Sequence, residues 1–238
     1  MIIKKKKLKI VPIIIVRLDS ERLPRKCFLP IFKKKNILEC IILQLLKIKN
    51  LEKPILAIPN DKVNNPLEKF ALKNNIKFYR GKKNNVAQRV YDCASAVKAD
   101  YILRINGDSP IIDKDLISSA INNKKFSKFY YHSNIIKRTY PYGISLQIIK
   151  RSFLKRLLLN DKNKNHLEHI TPLFENKKYF RYYKSYILKS YFPWKKSVTL
   201  DTATDYIKLK KLFKNINFLK NNFSWLKSVV IKNYLLND

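Results

Sequence analysis

The run Ile10-Val-Pro-Ile-Ile-Ile-Val16 constrains this chain more than any other stretch. It is short, β-branched and continuous, the pattern of a strand covered on both faces, as strands of a parallel sheet are. Behind it stands Arg17-Leu-Asp-Ser-Glu-Arg-Leu-Pro-Arg-Lys26, polar, cationic and interrupted by a proline, before a helical pattern begins near Asn36. A loop between a buried parallel strand and a helix lies at the carboxyl edge of a sheet, where α/β folds take their ligands. Arg17, Arg22 and Lys26 in such a loop suggest a polyphosphate, because guanidinium and ammonium groups neutralise and hydrogen-bond phosphate oxygens.

The alternation continues down the first half. Asn36 and Glu39 form a capping-box pair ahead of Ile37, Leu38, Ile41, Ile42, Leu45 and Leu46 at helical spacing. Pro54 to Pro59 and Ile76 to Tyr79 read as strands flanking a helix over Pro66 to Asn74. Asn85 and Gln88 cap a helix with Val86, Val90, Ala94 and Val97 on its apolar face. Tyr101 to Ile105 reads as a strand ending at Asn106-Gly-Asp108, and Asp113 caps the next helix. This order predicts an α/β fold with a doubly wound, mostly parallel sheet.

The second half is less regular. Phe129 to Asn134, Ile144 to Ile149 and Tyr179 to Leu188 read as strands, and Ser152 to Asn160 and His166 to Asn176 as helices. Val198 to Leu200 leads into Asp201, and Thr202 with Asp205 makes a further capping pair for a helix burying Tyr206, Leu209, Phe213 and Ile216. The last thirty residues read as a terminal helix with Trp225 and Leu226 buried. With no internal repeat and no low-complexity linker, the expectation is one domain over 1–238 with an extension at about 129–190.

Lys and Arg number 51 against 17 acids, a net charge of +34 that attracts anions. The lysines are scattered among abundant Asn, Ile, Tyr and Phe, residue types that share A- and T-rich codons, so the charge alone does not make a nucleic-acid binder. Three cysteines without close pairing, Cys27, Cys40 and Cys93, argue for a reducing compartment and against a zinc ribbon. No stretch approaches the ~18 apolar residues of a membrane span, and the basic N-terminus lacks a cleavage site, so a cytoplasmic protein is expected. There is no P-loop and no GxGxxG, and three glycines could hardly build either. His166 and His169, three apart, suit one surface and one packed histidine better than a shared metal.

Two aspartates remain. Asp108 follows a buried strand and Gly107, which permits a tight turn or a close approach to a ligand. Asp201 follows a short strand and precedes a helix. Carboxylates so placed, facing a basic loop, can hold Mg²⁺ against a triphosphate. Each also has a structural reading, Asp108 as a turn residue bonding its own backbone and Asp201 as an acid at a helix N-terminus.

Six segments, in order, carry a family resemblance. Val16-Arg-Leu-Asp-Ser-Glu-Arg-Leu-Pro-Arg-Lys26 is similar to Ala-Arg-x-Gly-Ser-x-Arg-Leu-Pro-Gly-Lys, the opening of the sugar-acid cytidylyltransferases, especially the spore-coat polysaccharide type. Phe78 to Gly81 with Asn84 to Arg89 resembles Arg-Gly-x-x-Asp-Asn-Val-Leu-x-Arg, and Arg104 to Asp113 resembles Arg-x-x-Gly-Asp-x-Pro-x-x-Asp. Tyr140 to Gly143, Glu168 to Pro172 and Thr199 to Thr202 with Asp205 also look like family segments.

The resemblance implies transfer of CMP from CTP to a sugar or sugar acid for surface polysaccharide assembly, with Mg²⁺ as cofactor and a homodimer as assembly. It implies Arg17, Ser20, Arg22 and Lys26 on the triphosphate, with Gly107 alongside, and Asp108 and Asp201 on the metal. Lys26, Arg17 and Asp108 carry the catalysis in this reading. Gly81 and Arg89 lie near the base, and Tyr140, Gly143, Gln147, Glu168 and His169 line the sugar side. Departures are Asp19 and Arg25 at the family's two loop glycines, and Ser145-Leu-Gln147 where it commonly has Asp-x-Glu. Asp19 sets a negative charge by the phosphates, both residues are expected to strain a glycine conformation, and Arg25 is the nearest candidate to offset Asp19. Two alternatives stay open: a catalytically silent relative acting as a binding protein, and a nucleic-acid binder, for which no recognisable module is present.

Overall fold

A computed structural model describes residues 7–136, 138–161, 163–174, 177–186, 197–220 and 222–236. Its strands are β1 (Ile10–Ile15), β2 (Pro30–Phe32), β3 (Lys35–Asn36), β4 (Ile55–Pro59), β5 (Lys77–Gly81), β6 (Tyr101–Asn106), β7 (Tyr131–Ser133), β8 (Gln147–Lys150) and β9 (Tyr183–Ser185). Its α-helices are α1 (Ile37–Leu45), α2 (Asn65–Lys73), α3 (Val86–Ala96), α4 (Lys114–Ile121), α5 (Arg151–Asn160), α6 (Lys164–His169), α7 (Ala203–Lys214) and α8 (Val229–Leu236).

Seven strands form one sheet in the order β5-β4-β1-β6-β8-β7-β9. The first four run parallel, and β8 is antiparallel to both β6 and β7. In β1, Ile10 and Ile14 point into one core with α1, α4 and α7, while Val11 and Ile13 point into a second core with α3 and α5. Both faces are covered, so the run has no polar position to spare. β1 and β6 end level, with Ile15 opposite Asn106, and the Gly107 N–H donates to the Ile15 carbonyl at 2.8 Å. The loops after β1 and β6 therefore emerge side by side.

The local capping signals are met in the helices they precede. The Asn36–Glu39 and Thr202–Asp205 boxes are closed in both directions, and Asn85 and Asp113 accept from the backbone N–H groups of Gln88 and Leu116. Past the end of α7 at Lys214, the described residues of the expected terminal helix are α-helical only over Val229–Leu236. Trp225 is buried before that helix, stacked on Phe218 and donating to Gln44 Oε1 at 2.7 Å, whereas Leu226 is only half-buried. The helix expected over 166–176 stops at His169, because Ile170 turns left-handed at φ 50° and Pro172 follows. Residues 175 and 176 lie outside the described residues. Of the strand expected over 179–188, Lys177–Tyr182 is a 3-10 turn and Tyr183–Ser185 the strand, and 187 and 188 lie outside the described residues. A hairpin of β2 and β3 was not foreseen; it turns on Lys33 and Lys34 at φ 44° and 65°. No helix among the described residues is long and apolar enough to cross a membrane, and the three cysteines are buried and free.

Candidate active site

Lys26 opens a 3-10 turn, Lys26–Phe28, at the end of the basic loop. Its Nζ donates to Asp108 Oδ2 at 2.9 Å, to Asp201 Oδ1 at 3.0 Å and to the Leu200 carbonyl at 2.8 Å. Asp108 stands just past β6, and Asp201 just before α7. The Leu200 N–H donates to the Asp108 carbonyl at 2.8 Å, which fastens the two acidic segments to each other. Arg22 Nη2 adds a second cation on Asp201 Oδ1 at 3.0 Å, and Thr199 Oγ1 donates to Oδ2 at 3.1 Å. Burial works against the Asp201 charge, but the Lys26 hydrogen bond and charge outweigh it, aided by Thr199 and Arg22. Its carboxyl is held below the ordinary carboxylate value. Asp205 is spent on the cap of α7, as its spacing indicates.

This cluster lies in a cleft of about 550 Å³. Arg17, Ser20 and Arg22 line it from the first loop, Gly107 and Asp108 from the second, and Glu168 and His169 from the wall of α6. Arg17 Nη1 reaches across to Glu168 Oε1 at 3.7 Å. Gly107 is needed where the chain passes over the end of β1: a Cβ there would stand 2.9 Å from Val16 Cβ and 3.0 Å from the Ile15 carbonyl oxygen. His166 bonds Asp161 at 2.8 Å, away from His169, so the two do not converge.

Of the other expected residues, Gly81, Tyr140, Gly143 and Gln147 fall behind the cleft surface, whereas Arg89 borders it. Gly81 does not line it; a Cβ there would press on Arg89 Cγ at 2.8 Å. Arg89 lines it but is buried, and its Nη1 donates to the carbonyls of Lys82 (2.6 Å) and Lys83 (3.1 Å), shaping the loop after β5. Burial, with the charge of Arg17, pulls its pKa down to about 10. Tyr140 is buried outside the lining. Gly143, at φ 93°, packs on Val198 and borders a small side recess together with Gln147, which is itself buried.

The two substituted glycines behave differently. Arg25 does take the left-handed conformation, at φ 56° and ψ 20°, while its N–H donates to the Leu18 carbonyl. Asp19 does not have a positive φ, so no strain arises there. Nor is Arg25 its counter-charge: Asp19 Oδ2 pairs with Lys83 Nζ at 2.5 Å. Burial raises the Asp19 pKa, but the Lys83 hydrogen bond, its own backbone N–H and the charges of Lys83 and Arg17 bring it below the ordinary value.

Arg104, which opens the segment Arg104 to Asp113 but receives no role from the sequence, is a further cleft residue. It lines both the cleft and the side recess, Nη1 donates to Gln147 Oε1, and its buried Nε has no partner. Gln147 Nε2 in turn donates to the Tyr131 hydroxyl at 2.7 Å. The signal was an arginine inside the otherwise apolar strand Tyr-Ile-Leu-Arg-Ile.

Among the described residues no group of three or more metal-ligating side chains occurs. The donors for a hard cation are the carboxylates of Asp108 and Asp201, and the ammonium they already share shows that the space between them suits positive charge. Two carboxylates fit Mg²⁺, which keeps water and substrate phosphate in the rest of its shell.

The sequence model of the cytidylyltransferases matches residues 11–229. The chain belongs to the cytidylyltransferase family. This family member is 30% identical over 218 residues to an uncharacterized protein of Methanocaldococcus jannaschii, covering 88% of this chain and 86% of the relative. It is 24% identical over 209 residues to the spore coat polysaccharide biosynthesis protein SpsF of Bacillus subtilis, covering 84% and 85%. Among solved structures it superposes on a cytidylyltransferase from Leptospira borgpetersenii with a TM-score of 0.84, 25% identity and 98% of each chain covered.

Proposed function

We propose that this chain transfers CMP from CTP to a hydroxyl of a sugar or sugar acid, releasing pyrophosphate, for surface polysaccharide biosynthesis in the cytoplasm. The observation that carries the reading is Lys26 Nζ bonded to both Asp108 and Asp201 beneath the Arg17–Arg22 loop. In a nucleotidyl transfer the acceptor oxygen bonds to the α-phosphorus, the bond to the bridging oxygen breaks, and the acceptor proton passes to solvent. Such chemistry asks the protein for positioning and for neutralisation of phosphate charge.

Arg17, Ser20 and Arg22 bind and orient the triphosphate, and Lys26 moves its charge from the aspartates toward the phosphates. Asp108 and Asp201 would hold Mg²⁺, whose contribution when bound is Lewis-acid neutralisation of the phosphate oxygens. Gly107 keeps the second loop close to the first. Arg89 positions the loop after β5, on the side given to the base. Glu168 and His169 face the acceptor, with Gln147, Gly143 and Tyr140 as the layer behind. SpsF, by its name, belongs to spore coat polysaccharide biosynthesis, which supports the surface-polysaccharide setting.

The test is pyrophosphate release from CTP and Mg²⁺ across a panel of sugars and sugar acids. Asp108→Ala is expected to remove activity, and unchanged activity in that variant refutes the metal assignment. CTP with Mg²⁺ should also raise the melting temperature of the unaltered chain, since a ligand that binds only the native state stabilises it. No shift and no turnover together favour a catalytically silent binding protein.

A further inference from the structure

We propose that the face formed by α7 and the β2–β3 hairpin docks on an anionic membrane surface. The face is separate from the cleft residues described above and does not depend on the reaction assigned to them.

The face has an apolar floor and a cationic rim. Between hairpin and helix runs a groove of about 540 Å³, floored by Ile31 and Phe32 and edged by Ile207, Lys210, Lys211 and Lys214. Positions 207, 210, 211 and 214 share one side of a helix, so this stripe is continuous. Ile207 is 57% exposed in its midst. The Tyr206 hydroxyl donates to the Pro30 carbonyl at 2.6 Å, which ties helix to hairpin and makes the groove a formed feature. At the hairpin tip Lys33 and Lys34 are exposed in left-handed conformations.

Charge complementarity identifies the occupant. Between Asp205 and Asp238 the chain has no acid, and none occurs between Glu21 and Glu39, so both contributing segments are purely cationic. Among the described residues none of Lys33, Lys34, Lys210, Lys211 or Lys214 forms an ion pair, whereas Lys26, Lys83 and Lys227 do. Basic side chains held near an anionic lipid surface are each attracted to it over about a Debye length. An exposed aliphatic amid them adds apolar burial at the headgroup boundary, the arrangement of interfacial amphipathic helices. A single-stranded nucleic acid would instead be met by exposed aromatic rings for base stacking, whereas the groove's aromatic rings are the buried Phe32 and the half-buried Tyr206, which Lys210 covers and whose hydroxyl is held by Pro30.

The experiment is co-sedimentation of the full chain with vesicles of phosphatidylcholine alone and with about a third phosphatidylglycerol, over a range of salt. The expected result is binding only to the anionic vesicles, weakening with salt. Lys33→Glu, Lys210→Glu, Lys211→Glu and Lys214→Glu together should weaken it at least about tenfold, whereas the same reversal at Lys62, Lys69, Lys73 and Lys77 should leave most of it intact. Ile207→Asp alone should weaken it several-fold. Both charge variants are exposed-site changes whose fold is checked by circular dichroism melting. Equal losses in the two reversed variants would show a general charge effect and overturn the proposal. So would absence of vesicle binding, or patch-dependent binding of single-stranded oligonucleotides without vesicle binding.

Discussion

The Asp19 carboxylate and the Lys83 ammonium meet at 2.5 Å and join the loop after β1 to the loop after β5. The contact answers the charge problem that an acid in the basic loop after β1 creates. It also predicts a pH dependence. Asp19 has a folded-state pKa below its ordinary value of 3.8, so its contribution is present above that value and disappears as pH falls through the lower folded one. Asp201 is depressed for the same kind of reason and adds to the same window. Asp19→Asn should flatten the stability-versus-pH curve below about pH 4 relative to the unaltered chain. A curve of unchanged slope in urea titrations at pH 2 to 5 would count against the pair.

Lys26 Nζ bridges two carboxylates, of which Asp201 has Arg22 as a second cation. Lys26→Ala is expected to lower the rate of pyrophosphate release by at least about a hundredfold, the usual loss when a preorganised charge donor is removed from a phosphoryl or acyl site. The same change should raise the Asp201 pKa, because its principal favourable partner is gone. A chelator should suppress turnover and added Mg²⁺ restore it, since two carboxylates suit a hard cation. Turnover indifferent to chelation would remove the metal from the scheme.

Arg25 is held at φ 56° and ψ 20°, a conformation that disfavours side chains with a Cβ by about 1–2 kcal/mol. Arg25→Gly relieves that cost but loosens the unfolded chain by about 0.4–1 kcal/mol. The net expectation is a gain of roughly 0.5–1 kcal/mol in urea denaturation, with the N–H to the Leu18 carbonyl kept. A loss of stability would mean that the Arg25 side chain is needed in the native loop.

What could be read in advance was whatever the chain encodes locally. Asn36, Asn85, Asp113 and Thr202 each cap the helix that follows, because a cap is settled within four residues. The β1 run showed its double burial because both faces demand apolar side chains. The convergence of Lys26, Asp108 and Asp201 was suggested by position at strand ends, though no local rule supplies the distances. The Asp19–Lys83 pair joins loops far apart in sequence, and an abundance of lysines gave no reason to single out Lys83. The antiparallel seating of β8 between β6 and β7 is likewise a long-range choice. The β2–β3 hairpin was hidden by its turn, where Lys33 and Lys34 stand in place of the usual Asn-Gly.

Arg104 and Gln147 give the last expectation. The guanidinium is withdrawn from water, which lowers its pKa, although Tyr131 and Asp108 act in the opposite direction. Its Nη1 has only a neutral amide oxygen in Gln147, and Nε has no partner. The burial cost is thus already borne by the native fold, while the opposite charge felt at Arg104 is Asp108, which makes no hydrogen bond to it. Gln147→Glu adds an opposite charge at nearly constant volume and replaces the Nε2 donor to the Tyr131 hydroxyl with an oxygen that can only accept from it. The new carboxylate should be held low by the arginine, so its stabilisation is complete above the ordinary Glu value and fades as pH falls through the lower folded one. About 1–2 kcal/mol is expected at neutral pH, less than the 3–5 kcal/mol that breaking a buried pair costs, because the carboxylate must itself be desolvated. Urea denaturation at pH 7 and pH 4 separates the outcomes: a gain present at pH 7 and reduced at pH 4 supports the pairing, and equal stabilities at both would show that Arg104 is already compensated by Asp108.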